Sequence, residues 1–152
     1  MSADPEILDR LETRFPGAIT RVEAVDQPTC LIPKDAVRAV ALYLRDEEGY
    51  RMCIDVAGVD YHPDRPRFEV VYHLYHPERR ARLRVKCRVG EEEEVASVTP
   101  IWPGADWPER EAYDLLGIRF AGHPNLTRIY MPDDWEGHPL RKDYPLRGTR
   151  ID

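Results

Sequence analysis

Hydrophobic residues recur at helical spacing twice in the first third of the chain. The first pattern follows Asp4-Pro5, a capping residue with proline at the first helical position, and stops before Gly17. The second begins after Pro33 and stops before Gly49, where glycine commonly ends a helix. The apolar faces consist of Ile7, Leu8, Leu11 and Phe15 in the first pattern and of Ala36, Val37, Val40, Ala41 and Leu44 in the second. Two amphipathic helices are therefore predicted.

Five segments have the alternating or short apolar pattern that is typical of β-strands. They are residues 18–25 and 29–32, separated by the turn Asp26-Gln27-Pro28, and residues 50–60, 67–76 and 81–89. Short turns join the last three, which predicts an antiparallel meander. With the helices on one face of this small, mostly antiparallel sheet, the predicted fold class is α+β.

The strand predicted at residues 81–89 separates apolar from basic side chains. Leu83, Val85, Cys87 and Val89 alternate with Arg82, Arg84, Lys86 and Arg88. We interpret the basic face as solvated and paired with carboxylates from elsewhere in the chain. The alternatives are contact with the phosphates of RNA or with anionic lipid.

The chain changes character after the acidic run from Glu91 to Glu94, because prolines become frequent and all three tryptophans lie beyond it. One further helix is predicted there, from a capping Asp106 to Gly117, with Glu109 completing a capping box. It is the one regular element that the pattern predicts in this part of the chain.

Beyond this helix, large apolar and aromatic side chains lie on backbone that is too rich in proline for long helices or central strands. Such a segment does not close a core by itself, and aromatic and arginine side chains are typical of protein interfaces. We predict that residues 117–145 form an extended, largely irregular segment that docks on a partner. The alternative is that the segment folds back over its own sheet. We divide the chain into an α+β domain, residues 1–96, and a docking region, residues 97–152, that is not an independent domain.

Composition and charge argue against several functional classes. The net charge is −6, and the acidic surplus lies after Gly90, which argues against a general nucleic-acid binder. No apolar run is long enough for a membrane span, and the first residues lack the pattern of a secretory signal, so a cytosolic location is expected. Cys30, Cys53 and Cys87 are odd in number and far apart, which favours buried thiols over a disulfide or a metal site.

Four charged residues on the predicted third helix could form an acid–base cluster: Glu109, Arg110, Glu111 and Asp114. No nucleophile, metal motif or phosphate-binding loop accompanies them in the sequence. We therefore interpret them as an arginine–carboxylate network that holds the helix to the following segment or reaches a partner.

Two histidines, His123 and His138, each lie in a Gly-His-Pro tripeptide. A metal site that includes Asp133 or Asp143 is one interpretation, but the spacing is unspecific. Imidazoles that fix turns by hydrogen bonds to backbone carbonyls are favoured. Close by, Arg141 is predicted to pair with Asp143.

Residues 107–145 read WPEREAYDLLGIRFAGHPNLTRIYMPDDWEGHPLRKDYP. This segment closely resembles the signature of the C subunit of NADH-quinone oxidoreductase, which is the smaller hydrophilic partner of the D subunit. The family's ERE-x-x-D motif begins at Glu109, its G-I-x-F-x-G-H-P motif at Gly117 and its closing W-x-GHPLRKDYP motif at Trp135. Thr127 stands where the family usually carries a basic residue or proline, which predicts one interface charge fewer. The looser resemblance upstream includes Asp55, Gly58, Asp60 and Tyr61.

The resemblance implies a soluble α+β component of respiratory complex I, with assembly and stiffening as its role rather than catalysis. The D subunit is the implied main partner, followed by neighbouring iron–sulfur subunits, and nucleic acid is not expected. FMN and iron–sulfur clusters are expected in other subunits, with no cofactor on this chain. The implied location is the cytoplasmic side of the cell membrane, with membrane contact only through the complex.

The residues expected to contact partners are Glu109, Arg110, Glu111, Asp114, Phe120, His123, Arg128, Trp135, His138, Arg141, Lys142, Asp143 and Tyr144. No catalytic, cofactor-binding or metal-binding residue is expected. Two alternatives stay open: the corresponding subunit of a membrane-bound hydrogenase or of a ferredoxin- or F420-linked oxidoreductase, and a stand-alone small enzyme that uses the carboxylates between Glu109 and Asp114.

Overall fold

A five-stranded sheet forms the centre of the structure, a computed structural model in which residues 4–148 are described. Its strands are β1 (Thr20–Val22), β2 (Thr29–Ile32), β3 (Met52–Asp60), β4 (Phe68–His76) and β5 (Ala81–Val89). Their spatial order is β1-β2-β5-β4-β3, and every neighbouring pair is antiparallel except β2 with β5. The predicted meander and the mostly antiparallel sheet are confirmed.

Three helices and a second, two-stranded sheet complete the fold. The helices are α1 (Ile7–Arg14), α2 (Val37–Asp46) and α3 (Asp106–Leu116), and short 3-10 turns precede α2 and α3 at Lys34–Ala36 and Pro103–Ala105. The small sheet pairs β6 (Glu94–Ala96) with β7 (Arg119–Ala121) in parallel.

The helices cover one face of the main sheet, as predicted for an α+β fold. Residues opposite each other on β4 and β5 alternate between this face and the outer face. The inward pairs are Phe68 with Val89, Val70 with Cys87, Tyr72 with Val85 and Leu74 with Leu83, and all of them belong to the buried core. The helices contribute Leu11, Val40, Leu44 and Leu116, among others, to the same core. Its largest apolar side chains stabilise the fold by roughly 1.5–3 kcal/mol each.

Gly58 of β3 allows α3 to approach the sheet closely. A Cβ atom at this position would lie 2.6 Å from Leu116 Cδ1 and 2.9 Å from Ile118 Cδ1. Any larger residue would therefore require the side chains of Leu116 and Ile118 to shift.

The basic face of β5 agrees in part with the favoured interpretation of its alternation, because two of its four cations pair with carboxylates from elsewhere in the chain. Its contacts are Arg84 with Asp26 at 2.7 Å, Lys86 with Glu69 at 3.5 Å, and the Arg88 guanidinium 4.3 Å above the Tyr61 ring. Arg84 and Lys86 are thereby neutralised, whereas Arg82 is exposed and the contact of Arg88 with an aromatic ring leaves its charge in place.

Two predicted helix caps are wrong. The Asp4 carboxylate accepts hydrogen bonds from Arg10, Tyr50 and Arg79, at 2.6, 3.3 and 3.0 Å, instead of capping α1. α3 begins at Asp106 without a side-chain cap, and Glu109 turns inward instead of completing a capping box. The Asp4 carboxylate is held by two guanidinium groups, which are stronger donors than a backbone N–H, and the Glu109 carboxylate by donors 11 and 12 residues before it.

The two-stranded sheet was not predicted, because three-residue strands carry too little alternation to be recognised. Through β7, Phe120 reaches the core, as does Ile118 just before it, and both are almost fully buried. The docking segment predicted at residues 117–145 therefore begins with two side chains, Ile118 and Phe120, that belong to the core of the chain itself. The strand predicted at residues 18–25 is shorter than expected.

The cysteines are free; Cys30 and Cys87 are buried as expected, and Cys53 is partly buried. Burial raises the pKa of each thiol to about 12. Within residues 4–148, no helix is long and apolar enough to cross a membrane.

Candidate functional site

The C-terminal segment, residues 122–148, contains no helix or strand, and Asp114 of α3 fixes its course. The buried Asp114 carboxylate accepts hydrogen bonds from Arg128 Nη1 at 2.9 Å and from the backbone N–H groups of Ile129, Tyr130 and Met131 at 3.1, 2.7 and 3.0 Å. Burial by itself would raise the pKa of Asp114, but the three N–H groups and the guanidinium outweigh it and lower this pKa. The carboxylate stays charged and holds the chain around it in one conformation.

The last carbonyls of α3 also receive donors from the C-terminal segment. His138 Nδ1 donates to Asp114 O at 2.9 Å, Leu140 N to Leu115 O at 3.0 Å and Arg141 Nε to Leu116 O at 2.7 Å. These carbonyls have no partner within the helix and carry partial negative charge, so a cation such as Arg141 is favourably placed. Gly117, with φ at 80°, ends the helix as predicted.

Arg67 joins three parts of the chain at the end of the main sheet, and its side chain is only 5% exposed. Its guanidinium forms a bidentate salt bridge with the Asp60 carboxylate, with hydrogen bonds of 2.8 and 2.9 Å. It also donates to the carboxylates of Asp143 at 2.6 Å and Glu91 at 3.3 Å. Asp60 also accepts the backbone N–H of Lys142 at 2.8 Å. Hydrogen bonds from Arg67 lower the pKa of Asp60 and of Asp143. The C-terminal segment is thus fixed at a second place, where it meets the main sheet.

The predicted pair between Arg141 and Asp143 is wrong. Asp143 pairs with Arg67, and Arg141 Nη1 lies 3.3 Å from Glu91. Side chains two residues apart in a turn point in different directions, so each finds a partner on another element.

Glu109 points into the protein and is fully buried. Its carboxylate accepts the Ser97 hydroxyl at 2.7 Å and the Val98 N–H at 2.8 Å. Burial raises the pKa of Glu109 to about 7, more than these two hydrogen bonds lower it. A buried acid with this pKa could act in catalysis, but Glu109 is 0% exposed, so a substrate in solution does not reach its carboxylate in this conformation.

His123 fixes the turn after β7. Its Nε2 lies 3.2 Å from the Asp106 carbonyl and 3.0 Å from the Asp106 carboxylate, and its Nδ1 accepts the Asn125 N–H at 2.9 Å. Together with His138, it confirms the prediction that these histidines bind backbone carbonyls. Across the described residues, no group of three or more His, Cys, Asp or Glu is arranged to hold a metal ion.

Aromatic side chains remain on the outside of this arrangement. Trp107 is 62% exposed and Tyr130 is 65% exposed. The Arg110 guanidinium lies 4.4 Å above the Trp107 ring and donates to the Thr127 carbonyl at 3.0 Å. We call Trp107, Arg110 and Tyr130 the aromatic patch.

Comparison with known proteins shows which family this arrangement belongs to. Residues 30–150 match the family model described as "Respiratory-chain NADH dehydrogenase, 30 Kd subunit". The chain belongs to this family.

Relatives of this 30 kDa family include the C 2 subunit of NADH-quinone oxidoreductase from Rhizobium etli. It is 50% identical over 121 residues, and the match covers 78% of this chain and 65% of that protein. The C subunit from Citrifermentans bemidjiense is 45% identical over 150 residues, 97% of this chain and 93% of that protein. The chain thus spans just under two thirds of the first relative and nearly all of the second.

Two solved structures share the fold of this 30 kDa family member. The trypsin-resistant fragment (1-134) of Nqo5 is 31% identical and has a TM-score of 0.70. The match covers 78% of this chain and 98% of that fragment. The second structure is a chain of the membrane-bound sulfane sulfur reductase, an archaeal respiratory membrane complex. It is 26% identical with a TM-score of 0.78, and the match covers 93% of this chain and 85% of that chain.

The structure divides the residues expected to contact partners by exposure. The side chains of Glu109, Asp114, Phe120 and His123 are enclosed by the protein itself. Arg110, Arg128, Trp135, His138, Arg141 and Tyr144 are partly exposed, and Glu111, Lys142 and Asp143 are exposed. The expected network is present in part, since Asp114 with Arg128 and Arg110 with Thr127 hold the helix to the C-terminal segment of this 30 kDa family member.

The pair of Arg67 and Asp60 was missed as a functional feature. Asp60 was noted only as part of the looser upstream resemblance to the family. Arg67 stands in the basic, proline-containing turn before β4, where most arginines are solvated. No sequence signal distinguishes Arg67 from its neighbour Arg65, which is exposed.

Proposed function

We propose that this chain is a non-catalytic component of a proton-translocating NADH-quinone oxidoreductase and that it docks on the D subunit in the peripheral arm. In this proposal, FMN and iron–sulfur clusters belong to other subunits, which carry electrons from NADH to quinone. The complex would place the chain on the cytoplasmic side of the cell membrane.

One observation carries the proposal beyond family membership: hydrogen bonds from within the chain fix the C-terminal segment, while Tyr130 on this segment and Trp107 on α3 stay exposed. Asp114 and Arg67 fix an irregular backbone that would otherwise be mobile. An interface that is ordered before binding loses less conformational entropy on association. Exposed tryptophan, tyrosine and arginine are the residue types that contribute most to binding at interfaces.

Affinity purification from membranes solubilised in mild detergent tests the proposal. We expect the native chain to co-purify with flavin- and iron–sulfur-containing subunits. The double variant Trp107→Ser, Tyr130→Ser should reduce this recovery by about tenfold or more, equivalent to roughly 1.4 kcal/mol of binding free energy. Val25→Ser is the matched control, because Val25 is fully exposed and apolar but lies in the loop between β1 and β2. Recovery of the native chain free of such subunits would exclude the proposal.

The similarity to a sulfane sulfur reductase chain supports one alternative, a component of another membrane-bound respiratory complex. The higher identities to NADH-quinone oxidoreductase subunits favour the quinone-linked assignment. Quinone-dependent NADH oxidation by the purified complex distinguishes the two.

A further inference from the structure

One long edge of the main sheet is unpaired. β3 stands last in the strand order, and within residues 4–148 its only neighbour is β4. Just past the strand, Tyr61 N donates to Arg67 O at 2.8 Å, toward the β4 side. Because backbone groups alternate in direction along an antiparallel strand, those of Val56, Gly58 and Asp60 point away from β4.

The Val56 N–H confirms this direction. It donates to the carboxylate of Asp55 at 2.9 Å instead of to a neighbouring strand. The irregular pairing between Cys53 and Asp55 limits the regular edge to the part of β3 that follows Asp55. Beyond Val56, the backbone of Gly58 lies at the centre of this regular edge.

A groove runs between this edge and α3. Ala57, Gly58, Ala112, Leu115 and Leu140 contribute to its walls, and its volume is about 140 Å³. Leu140 is 61% exposed at its rim. The groove therefore has apolar walls beside polar surface, and it is large enough for a single large apolar side chain.

Two exposed carboxylates, Asp55 and Glu111, border the groove. Neither forms a salt bridge with a cation among the described residues, although most other carboxylates near the sheet do. A ligand with a positive charge at this border would complement them.

We propose that an extended strand of a partner subunit pairs with the regular edge of β3, inserts one apolar side chain into the groove and places a lysine or arginine against Asp55 and Glu111. Addition of a strand to a free sheet edge is a common mode of peptide recognition, in which backbone hydrogen bonds supply affinity and a side-chain pocket supplies specificity. The proposal rests on the proposed function, because it names a second contact of this chain within the complex.

Hydrogen exchange in the assembled complex and in the isolated chain tests the pairing. We expect the Gly58 amide to exchange at least about tenfold more slowly in the complex, because it then donates to the partner strand. The amides of Ala57 and Val59 face β4 and serve as internal controls that stay protected in both states.

Variants at the groove provide a second measurement. Leu140→Arg and Glu111→Lys are expected to weaken binding of the chain to the remaining complex by about tenfold each, whereas Val25→Arg is expected to have no effect. All three positions are exposed, so folding should not be affected.

The outcomes separate this proposal from the proposed function. If the chain is recovered in the complex but Gly58 is equally exchangeable in both states, the strand proposal is wrong and the proposed function stands. If the chain is not part of such a complex, both are wrong. If the isolated chain dimerises and Gly58 is protected in the dimer, the occupant is a second copy, and the proposed partner strand is likewise excluded.

Discussion

Two buried carboxylates on α3 show that the balance between burial and hydrogen-bond donors decides the charge of a residue. Asp114 and Glu109 are both 0% exposed. Asp114 faces a guanidinium and three N–H groups, which lower its pKa, whereas Glu109 has one hydroxyl and one N–H as donors, and burial raises its pKa to about 7. One helix therefore carries a permanently charged group and a group that titrates near neutrality.

The raised pKa of Glu109 predicts a pH-dependent stability. Its folded pKa of about 7 lies above the ordinary 4.5, so the native state binds more protons than the unfolded state between these values. The free energy of unfolding therefore falls as pH rises from about 4.5 to about 7, by a few kcal/mol at about 1.4 kcal/mol per pKa unit. Glutamine resembles the protonated acid and does not titrate. The free energy of unfolding of Glu109→Gln should therefore increase relative to that of the wild type as pH rises through this range.

Urea unfolding of both proteins at several pH values measures this difference. Glu111→Gln, an exposed change on the same helix, should follow the wild-type pH curve. A constant difference between Glu109→Gln and wild type from about pH 4.5 to about pH 7 would contradict the raised pKa.

At the scale of elements, α3 and the C-terminal segment stabilise each other. The helix supplies the Asp114 carboxylate and its terminal carbonyls, and the segment supplies Arg128, His138 and Arg141 as donors. Neither element has a full set of hydrogen-bond partners without the other, so we expect them to order together.

Removal of one donor tests this dependence. Arg141→Ala leaves the Leu116 carbonyl without its side-chain donor and should lower the free energy of unfolding by about 1–2 kcal/mol, with faster amide exchange in the last turn of α3. Lys142→Ala is the adjacent control, because among residues 4–148 the Lys142 side chain is exposed and its backbone N–H makes the hydrogen bond to Asp60; the change should stay within about 0.5 kcal/mol. Equal effects of the two changes would argue against the helix-capping role.

At the scale of the whole molecule, Arg67 connects the sheet, the acidic loop after β5 and the C-terminal segment through Asp60, Glu91 and Asp143. Its planar guanidinium reaches all three carboxylates at once, which a lysine ammonium does not. Arg67 thus fixes the C-terminal segment on the sheet together with the hydrogen bond from Lys142 N to Asp60.

Arg67→Lys should loosen this connection while keeping the charge. We expect a loss of about 2–4 kcal/mol in the free energy of unfolding and faster tryptic cleavage after Arg141 and Lys142, since the segment leaves the sheet more often. Arg65→Lys, at an exposed position in the same turn, should change neither quantity. Unchanged cleavage in Arg67→Lys would show that Asp114 alone holds the segment.

Much of the fold could be predicted from local patterns. The two amphipathic helices, the three long strands and the end of α3 at Gly117 follow from periodicity and glycine conformation, which act over a few residues. The strands β6 and β7 could not be predicted in this way. They are three residues long, and they pair with each other although α3 lies between them in the sequence. Their formation therefore depends on a contact between distant residues, which no local pattern indicates.

The sequence by itself determined that residues 107–145 belong to a recognisable family signature and that this region is charged, aromatic and irregular. The tertiary structure decided which of those charges are used inside the chain. Asp114, Arg128, Arg141 and Asp143 find partners 14 to 76 residues away, and Trp107 and Tyr130 are left exposed. The physical reason is that the partners of a buried charge are set by which elements the fold brings together, and residue order along the chain does not contain that information directly.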